Sequence, residues 1–374
     1  MAAHRARLIG DGVARLHRLV NRLLDTRGVE LFRASGVPGA AIIVRLPDGV
    51  RIERYWGVAD GATQTAMHEH AVFQMMSISK PVSAFCIVRL AERGLLDLHV
   101  PVSRYLGSWT VPAERRGGHD FDDVTLHRLL SHSAGFNLHM LGWSPHADRR
   151  PTPQQLLDGV TGPEHGLRIV HAPGTQVEYS GAGFALAEMA AVNVTGLPWH
   201  QIVQDNVLEP LGMRHSCYSP EPRVLELMAT RHDAEGRPMP PALLASGSGS
   251  GLYATAADIC TFWEAFLCED RRARGTSDQS RVCRVVSPAA ARMMTTVQNR
   301  GLPGKKVGLG FYLWEKRSDT EFGHRGYKDG WWSVAEGLRR RRCVIVGCSN
   351  GDAGERCIKP LTGEVRQLLF DQAL

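Results

Sequence analysis

The chain has 374 residues, 43% of them hydrophobic and 22% charged, with a formal net charge of +6. That length supports one large core or two lobes sharing a cleft, and the composition excludes a disordered tail protein and a collagen-like fibre. No run approaches the roughly 18–20 consecutive apolar residues that span a bilayer, and MAAHRARLIGDGVARLHRL lacks the uninterrupted apolar core of a secretory signal, so the expected setting is the cytoplasm, away from membranes.

In chain order, Leu8, Leu16, Leu19, Val20, Leu23 and Leu24 recur at three- and four-residue steps, which predicts an amphipathic helix over 7–27 ending near Gly28. Asp11 and Asp25 interrupt its basic face, so it docks on its own domain rather than on a membrane. Ala40 to Leu46 and Val50 to Val58 flank Pro47-Asp48-Gly49 and predict an antiparallel hairpin. From Pro81 to Arg93 the chain is apolar nearly all round and stops at Gly94, which predicts a buried helix. Further helices are expected over Thr125–Leu130, Thr152–Gly159, Ala182–Val194 and Trp199–Leu208. Strands follow at Val307–Trp314, Trp331–Ala335 and Cys343–Cys348, and a closing helix at Glu355–Asp371. The cluster Arg339 to Arg342, flanked by apolar runs and free of interleaved aromatics, is a solvated turn rather than a nucleic-acid platform. The eight cysteines contain no CxxC pair and are expected as buried free thiols.

Strands at both ends and helices between them predict an α+β protein. One antiparallel sheet is assembled from both chain ends and flanked by helices, with an inserted, mostly helical lobe. Residues 1–80 and 300–374 form the sheet lobe, 81–299 the helical lobe, and a site is expected in the cleft between them. Ser246 to Gly251 is too short a glycine-rich run to act as a linker.

Of the 44 lysines and arginines only six are lysines, and residues 1–304 contain a single one, Lys80. An ammonium can lose its proton when desolvated, whereas a guanidinium effectively cannot. Lys80 follows Ser77 by three residues, directly before the buried helix, so one helical face carries both and the amine can take the hydroxyl proton. A serine at a helix start also lies among unpaired backbone N–H groups at the positive dipole end. The plainer alternative is a helix cap with an incidental lysine. Tyr179, at the junction between a Pro173-Gly174 turn and an apolar helix, suits proton transfer to a leaving group, or else a core position at a lobe interface. Gly323-His324-Arg325-Gly326-Tyr327 and Gly330-Trp331-Trp332 place glycines where a backbone can approach a ligand. Ser349 in Gly-Cys-Ser-Asn-Gly matches a nucleophile-elbow pattern, but no histidine follows it, and it is set aside. His68-Glu69-His70 and His127 to His132 lack metal-site spacing, so no metal is expected.

Order and spacing of these pieces resemble the serine hydrolases related to class C β-lactamases and penicillin-binding proteins, with their esterase and transacylase branches. The resemblance runs from about Val37 to Leu369. It is carried by VPGAA at 37–41, Ser77-x-x-Lys80, ERGLLDL from Glu92, VTLHRLLSHSAG at 124–135, PGTQVEYS at 173–180, EPLGM at 209–213, GLYATAAD at 251–258 and HRG at 324–326. It implies a β-lactamase/transpeptidase-like fold without metal or organic cofactor. Ser77 is then the nucleophile, Lys80 its proton acceptor, Tyr179 the acid–base partner and His324 the third-motif residue. The oxyanion hole is formed by the backbone N–H groups of Ser77 and Tyr327, next to Gly326.

Two departures bear on substrate. Gly181 stands where the family's Y-x-N motif has asparagine, and the third motif has no lysine to pair with a substrate carboxylate unless Arg325 points inward. Both argue against a β-lactamase or DD-peptidase, which stays as the alternative; a non-catalytic binding protein of the same fold is the rival from another class. Trp331, Trp332 and Trp143 are expected to line an apolar cleft. The expected activity is acyl transfer through a Ser77 acyl-enzyme, as a carboxylesterase or transacylase. Its partners are a small-molecule ester, thioester or amide donor and water, an amine or an alcohol as acceptor, with natural-product tailoring as the family analogy.

Overall fold

The computed structural model describes residues 2–139, 151–159, 165–219, 222–240, 247–267, 284–316, 319–328 and 330–372. The strands are β1 (Gly39–Arg45), β2 (Arg51–Asp60), β3 (Thr65–Ala66), β4 (Val72–Gln74), β5 (Tyr253–Thr255), β6 (Tyr312–Lys316), β7 (Asp319–Lys328), β8 (Trp331–Leu338) and β9 (Cys343–Ser349). Seven of them form one sheet in the order β3-β2-β1-β9-β8-β7-β6, every pairing antiparallel, and β4 with β5 makes a separate two-stranded sheet. The β1–β9 pairing joins the two chain ends at the centre, as Ala40 opposes Ser349 and Arg45 opposes Val344.

Both sheet faces are covered, so the central strands are buried throughout and read as continuous apolar runs rather than alternating ones. Ala41, Ile43, Val344 and Val346 face the helical region, whereas Ile42, Val44, Cys343 and Ile345 meet the terminal helices. The predicted first helix docks there through Leu16, Val20 and Leu24, beside Leu361, Val365 and Leu369 of the Gly354–Asp371 helix. It does not end at Gly28. It runs from Ala2 to Leu23, passes through a wider turn over Leu24–Gly28 and continues to Ser35, where Gly36 (φ +72°) stops it. Gly28 marks close packing instead: a Cβ there would lie 2.9 Å from the Trp56 ring.

The opposite face carries the helices Ser79–Glu92, Leu126–Leu130, Gly181–Thr195, Ala256–Ala265 and Pro288–Met294. Phe85, Phe262, Phe266, Phe311 and Phe322 interlock at ring distances between 5.2 and 6.5 Å, tying this layer to the sheet within one continuous core. Arg45 and Arg51 both hold the Glu264 carboxylate, at 3.0 and 2.9 Å, adding a polar clamp from β1 and β2 to the Ala256–Ala265 helix.

Two readings near the chain end change. The stretch predicted as a strand from Val307 becomes one only at Tyr312, because Gly308 and Gly310 press their backbones into Met294 and the start of the Ser79–Glu92 helix; at Gly310 (φ +78°) a Cβ would meet the Ala84 methyl at 2.7 Å. Conversely β7, which no strand signal marked, is ten residues long. The Arg339–Arg342 turn is only partly solvated, since Arg341 donates to the carbonyls of Phe370 and Gln372 at the end of the chain. The six described cysteines, Cys86, Cys217, Cys260, Cys343, Cys348 and Cys357, are buried free thiols; Cys268 and Cys283 lie outside the described residues.

Candidate active site

Ser77 sits in a single 3₁₀ turn, Met76–Ile78, that runs directly into the Ser79–Glu92 helix. Met76 holds a left-handed backbone (φ +49°), a conformation that costs a non-glycine residue of the order of 1–3 kcal/mol and persists only where the surroundings enforce it. The enforcement is visible. Ser79 Oγ donates to Met76 O at 2.5 Å and accepts from Leu252 N at 3.0 Å, while Ser333 Oγ from β8 donates to Met75 O at 3.2 Å. From Ala71 through Val88 every residue is buried except Ser77, so the turn presents that hydroxyl alone to a substrate.

Lys80, one helical turn on, is 3% exposed. Its Nζ lies 3.2 Å from Ser77 Oγ and donates to Gly249 O at 2.7 Å, with the Tyr179 and Phe184 rings 4.7 and 5.6 Å away. Burial without a facing carboxylate pushes its pKa down to about 7, so a large share of the amine is neutral at physiological pH. Tyr179 Oη is 2.6 Å from Ser77 Oγ. Burial drives its phenol well above the usual range, against a smaller opposing effect of the Ser77 hydrogen bond, so it stays protonated. Environments that push an amine down and a phenol up suit Lys80 to accept a proton and Tyr179 to give one.

His324 on β7 stands beside this cluster, its ring 6.2 Å from that of Tyr179 and 5.2 Å from that of Tyr312. Its Nδ1–H donates to Arg325 O at 2.8 Å, which leaves Nε2 as the lone-pair nitrogen, buried and without a partner among the described residues. Burial, reinforced by the Lys80 charge, lowers its pKa to about 3, so it acts as a neutral acceptor. Gly326 lets β7 reach the serine turn, since a Cβ there would stand 2.2 Å from Met75 O. That approach sets β7 against the turn that carries Ser77.

The remaining sequence candidates separate. Arg325 and Tyr327 alternate with His324 and Gly326 along β7, so their side chains leave on the other sheet face, and both are exposed, Tyr327 at 71%. Arg325 therefore supplies no charge to the cleft. Trp331 and Trp332 do not line it either. Trp331, 2% exposed, packs edge-on against Phe73, and Trp332, 6% exposed, packs with Val334, Cys357 and Ile358 under the C-terminal helix. Adjacent residues on a strand covered on both faces are both core. Trp143 lies outside the described residues. Ser349 is buried, with its Oγ donating to Gly351 O at 3.4 Å and Gly354 packed against it.

Sequence reasoning missed three contributors. His132, read as a core or surface histidine, sets its ring 4.6 Å from that of Tyr179, tilted by 35°, with left-handed backbone (φ +56°); its Nδ1 accepts from Ser180 N at 3.2 Å and fixes the entry to the Gly181–Thr195 helix. Tyr312 faces Tyr179 and His324, and an alternation of buried strand residues was its only signal. The Gly249 carbonyl has no signature at all, because a backbone acceptor is independent of residue type.

A seryl hydroxyl shared between a desolvated amine and a buried phenol, at a helix start facing an antiparallel sheet, is the arrangement of a serine hydrolase of the Ser-x-x-Lys kind. The β-lactamase family model matches residues 16–366, and the chain belongs to that family: it is a serine hydrolase with the β-lactamase/transpeptidase-like fold. It is 26% identical over 290 residues to the D-alanyl-D-alanine-carboxypeptidase/endopeptidase AmpH of Escherichia coli K12, covering 77% of this chain and 69% of AmpH. With esterase EstB of Burkholderia gladioli it shares 30% identity over 227 residues, covering 58% of this chain and 56% of EstB. A solved class C β-lactamase superposes with a TM-score of 0.72 over 97% of each chain at 17% identity.

Proposed function

We propose that the protein hydrolyses a small ester, thioester or amide through a covalent ester on Ser77. The observation that carries this reading is the position of Ser77 Oγ, within hydrogen-bond distance of both Lys80 Nζ and Tyr179 Oη, on the one half-buried residue of an otherwise buried segment. The neutral Lys80 amine takes the hydroxyl proton as Oγ bonds to the acyl carbon, and the backbone N–H groups of Ser77 and Tyr327 hold the oxyanion. As the bond to the leaving group breaks, Tyr179 gives that group its proton and recovers one from the Lys80 ammonium. Water then attacks the acyl carbon, its proton passes to the same pair, and Ser77 Oγ is reprotonated as the acid product leaves.

The site disfavours β-lactam and DD-peptide substrates. Gly181 offers no side-chain amide, His324 is neutral, and Arg325 leaves on the far face of β7, so the third motif presents no cation to a substrate carboxylate. EstB, a relative named as an esterase, points the same way. Trp331 and Trp332 lie in the core and supply no apolar cleft wall, so two of the residues expected to favour transfer to an amine or alcohol do not act in that way, and we take hydrolysis as the working reading. The buried free thiols suit a reducing, cytoplasmic setting.

Intact-mass spectrometry after brief exposure to p-nitrophenyl acetate or a fluorophosphonate tests the reading. An adduct on the wild type, absent from Ser77→Ala, with nitrophenol released on turnover, is expected. Loss of that yield to acylated amine or alcohol when these are added would make the protein a transacylase. A folded wild type that takes up neither probe would return it to the non-catalytic class.

A further inference from the structure

We propose that Glu188 is a positioning residue for Lys80, acting through the buried turn Gly247–Ser250, whose Gly249 carbonyl it aims at the amine. The proposal rests on the reading of Lys80 as the proton acceptor of Ser77.

Gly247–Ser250 is one helical turn, and Gly247, Ser248 and Gly249 are buried. The glycine-rich run that resembles a loop in sequence is therefore a packed support behind the catalytic lysine. It touches that lysine directly, with Gly249 O accepting from Lys80 Nζ at 2.7 Å, closer than the 3.2 Å to Ser77 Oγ. The shorter contact sets where the amine rests.

Two side chains hold the turn from opposite sides. Glu188 Oε2 accepts from Ser248 N at 2.8 Å, and Ser83 Oγ, one turn beyond Lys80 on the same helix, donates to Ser248 O at 2.7 Å. Both peptide groups flanking Ser248 are thereby oriented, and the next carbonyl along is the one on Lys80. Gly247 shows how closely the carboxylate is seated, since a Cβ there would come within 3.0 Å of Glu188 Oε1 and 2.8 Å of the Trp199 ring.

Glu188 is 7% exposed, on a helix whose other buried residues are glycine, alanine, leucine, phenylalanine and methionine. A buried carboxylate is costly unless its hydrogen bonds return the desolvation energy, so a fold without need of it at this position would carry an apolar residue. The helix that bears it is the one whose first turn follows Tyr179. One rigid element thus fixes the acid, through its start, and the base, through Glu188 and the Gly249 carbonyl. Gly181 on that helix contributes no side chain to the lysine, so the backbone carbonyl is the orienting acceptor within the described residues.

The test is steady-state p-nitrophenyl acetate hydrolysis against pH for wild type, Glu188→Ala, Glu188→Gln and Ser83→Ala, with circular dichroism to verify folding and fluorophosphonate labelling as a second readout. Glu188→Ala should lower kcat about 10- to 100-fold with KM within about twofold, and displace the acid limb of the pH profile, because the amine loses its fixed acceptor. Glu188→Gln keeps an oxygen for Ser248 N and should recover kcat and the acid limb to within about threefold. A folded Glu188→Ala with unchanged kcat and acid limb overturns the proposal, as does a folded Glu188→Gln no better than Glu188→Ala. Should Glu188→Ala fail to fold, Ser83→Ala decides: a kcat loss of about two- to fivefold supports the device, and no loss overturns it. A wild type that fails to label at Ser77 defeats the underlying acyl-enzyme reading instead, which separates the two failures.

Discussion

Ser77 Oγ and Tyr179 Oη stand 2.6 Å apart although 102 residues separate them in the chain. The contact closes because both hydroxyls belong to helix starts that pack on one another through Lys80, whose amine lies 4.7 Å from the Tyr179 ring. Removing the phenol should therefore leave binding intact and slow proton delivery. Tyr179→Phe is expected to lower kcat for ester hydrolysis by about 10²- to 10⁴-fold with little change in KM. A kcat within threefold of wild type would remove Tyr179 from proton transfer.

The proposed proton transfer from Ser77 requires a neutral Lys80, and burial brings its pKa down to about 7. Activity should fall about tenfold per pH unit below that value and level off above it, and Lys80→Arg should be nearly inactive because a guanidinium keeps its proton. Stopped-flow acylation between pH 5 and 9 measures this; a flat profile would contradict the assignment of the base.

The same shift has a cost in stability. Lys80 titrates at 10.5 unfolded and about 7 folded, so between these values the unfolded chain binds more protons, and stability rises with pH across that window. The penalty, of the order of 5 kcal/mol, is complete below pH 7 and gone above 10.5. Lys80→Met, inactive but apolar, should exceed the wild type in unfolding free energy by more at pH 6 than at pH 10 in urea titrations. An equal difference at both values would mean that the buried amine costs the fold nothing.

Acid should act on the histidines. His324 is lowered from 6.5 to about 3 and His132 lies well below its ordinary value, both through burial, so the unfolded chain binds more protons below pH 6.5 and stability is lost as pH falls towards 3. His324→Gln should reduce that acid loss by about 2–3 kcal/mol at pH 4.5. Urea midpoints at pH 7 and 4.5 give the comparison, and parallel losses in both proteins would show that His324 charges as freely folded as unfolded.

Gly326 is a steric requirement of the site. A Cβ there would lie 2.2 Å from Met75 O and 2.8 Å from Ser333 Oγ, forcing β7 away from the turn that carries Ser77. Gly326→Ala should fold, since it lies at the end of a long strand, yet lose about 10²-fold or more in kcat/KM as the Tyr327 N–H withdraws from the oxyanion. Kinetics beside a thermal melt distinguish this from unfolding.

Local arithmetic made much of this legible. Ser77 and Lys80 come together because three residues on a helix make one face, and the lone lysine among arginines pointed to a group able to lose a proton. Tyr179 and His324 were singled out by a turn–helix junction and a glycine spacing, and given roles through a resemblance, whereas β7 was not marked, because Gly323 and Gly326 weaken a strand signal where backbone must approach backbone. Trp331 and Trp332 looked like a cleft wall, since a strand covered on both faces offers no alternation by which core and cleft differ.

The sequence by itself determined the elements whose signals are short-ranged: the hairpin at Gly49, the buried helix after Ser77, the helices that begin near Thr125, Thr152 and Ala182, and the serine–lysine pair. Only the tertiary structure decided which groups face that pair, because those contacts span many residues and several are made by main-chain atoms. The carbonyl of Gly249 on Lys80, the left-handed backbone of Met76 and His132, and the approach of Gly326 to Met75 depend on where a chain is held, and the residue types alone do not encode it.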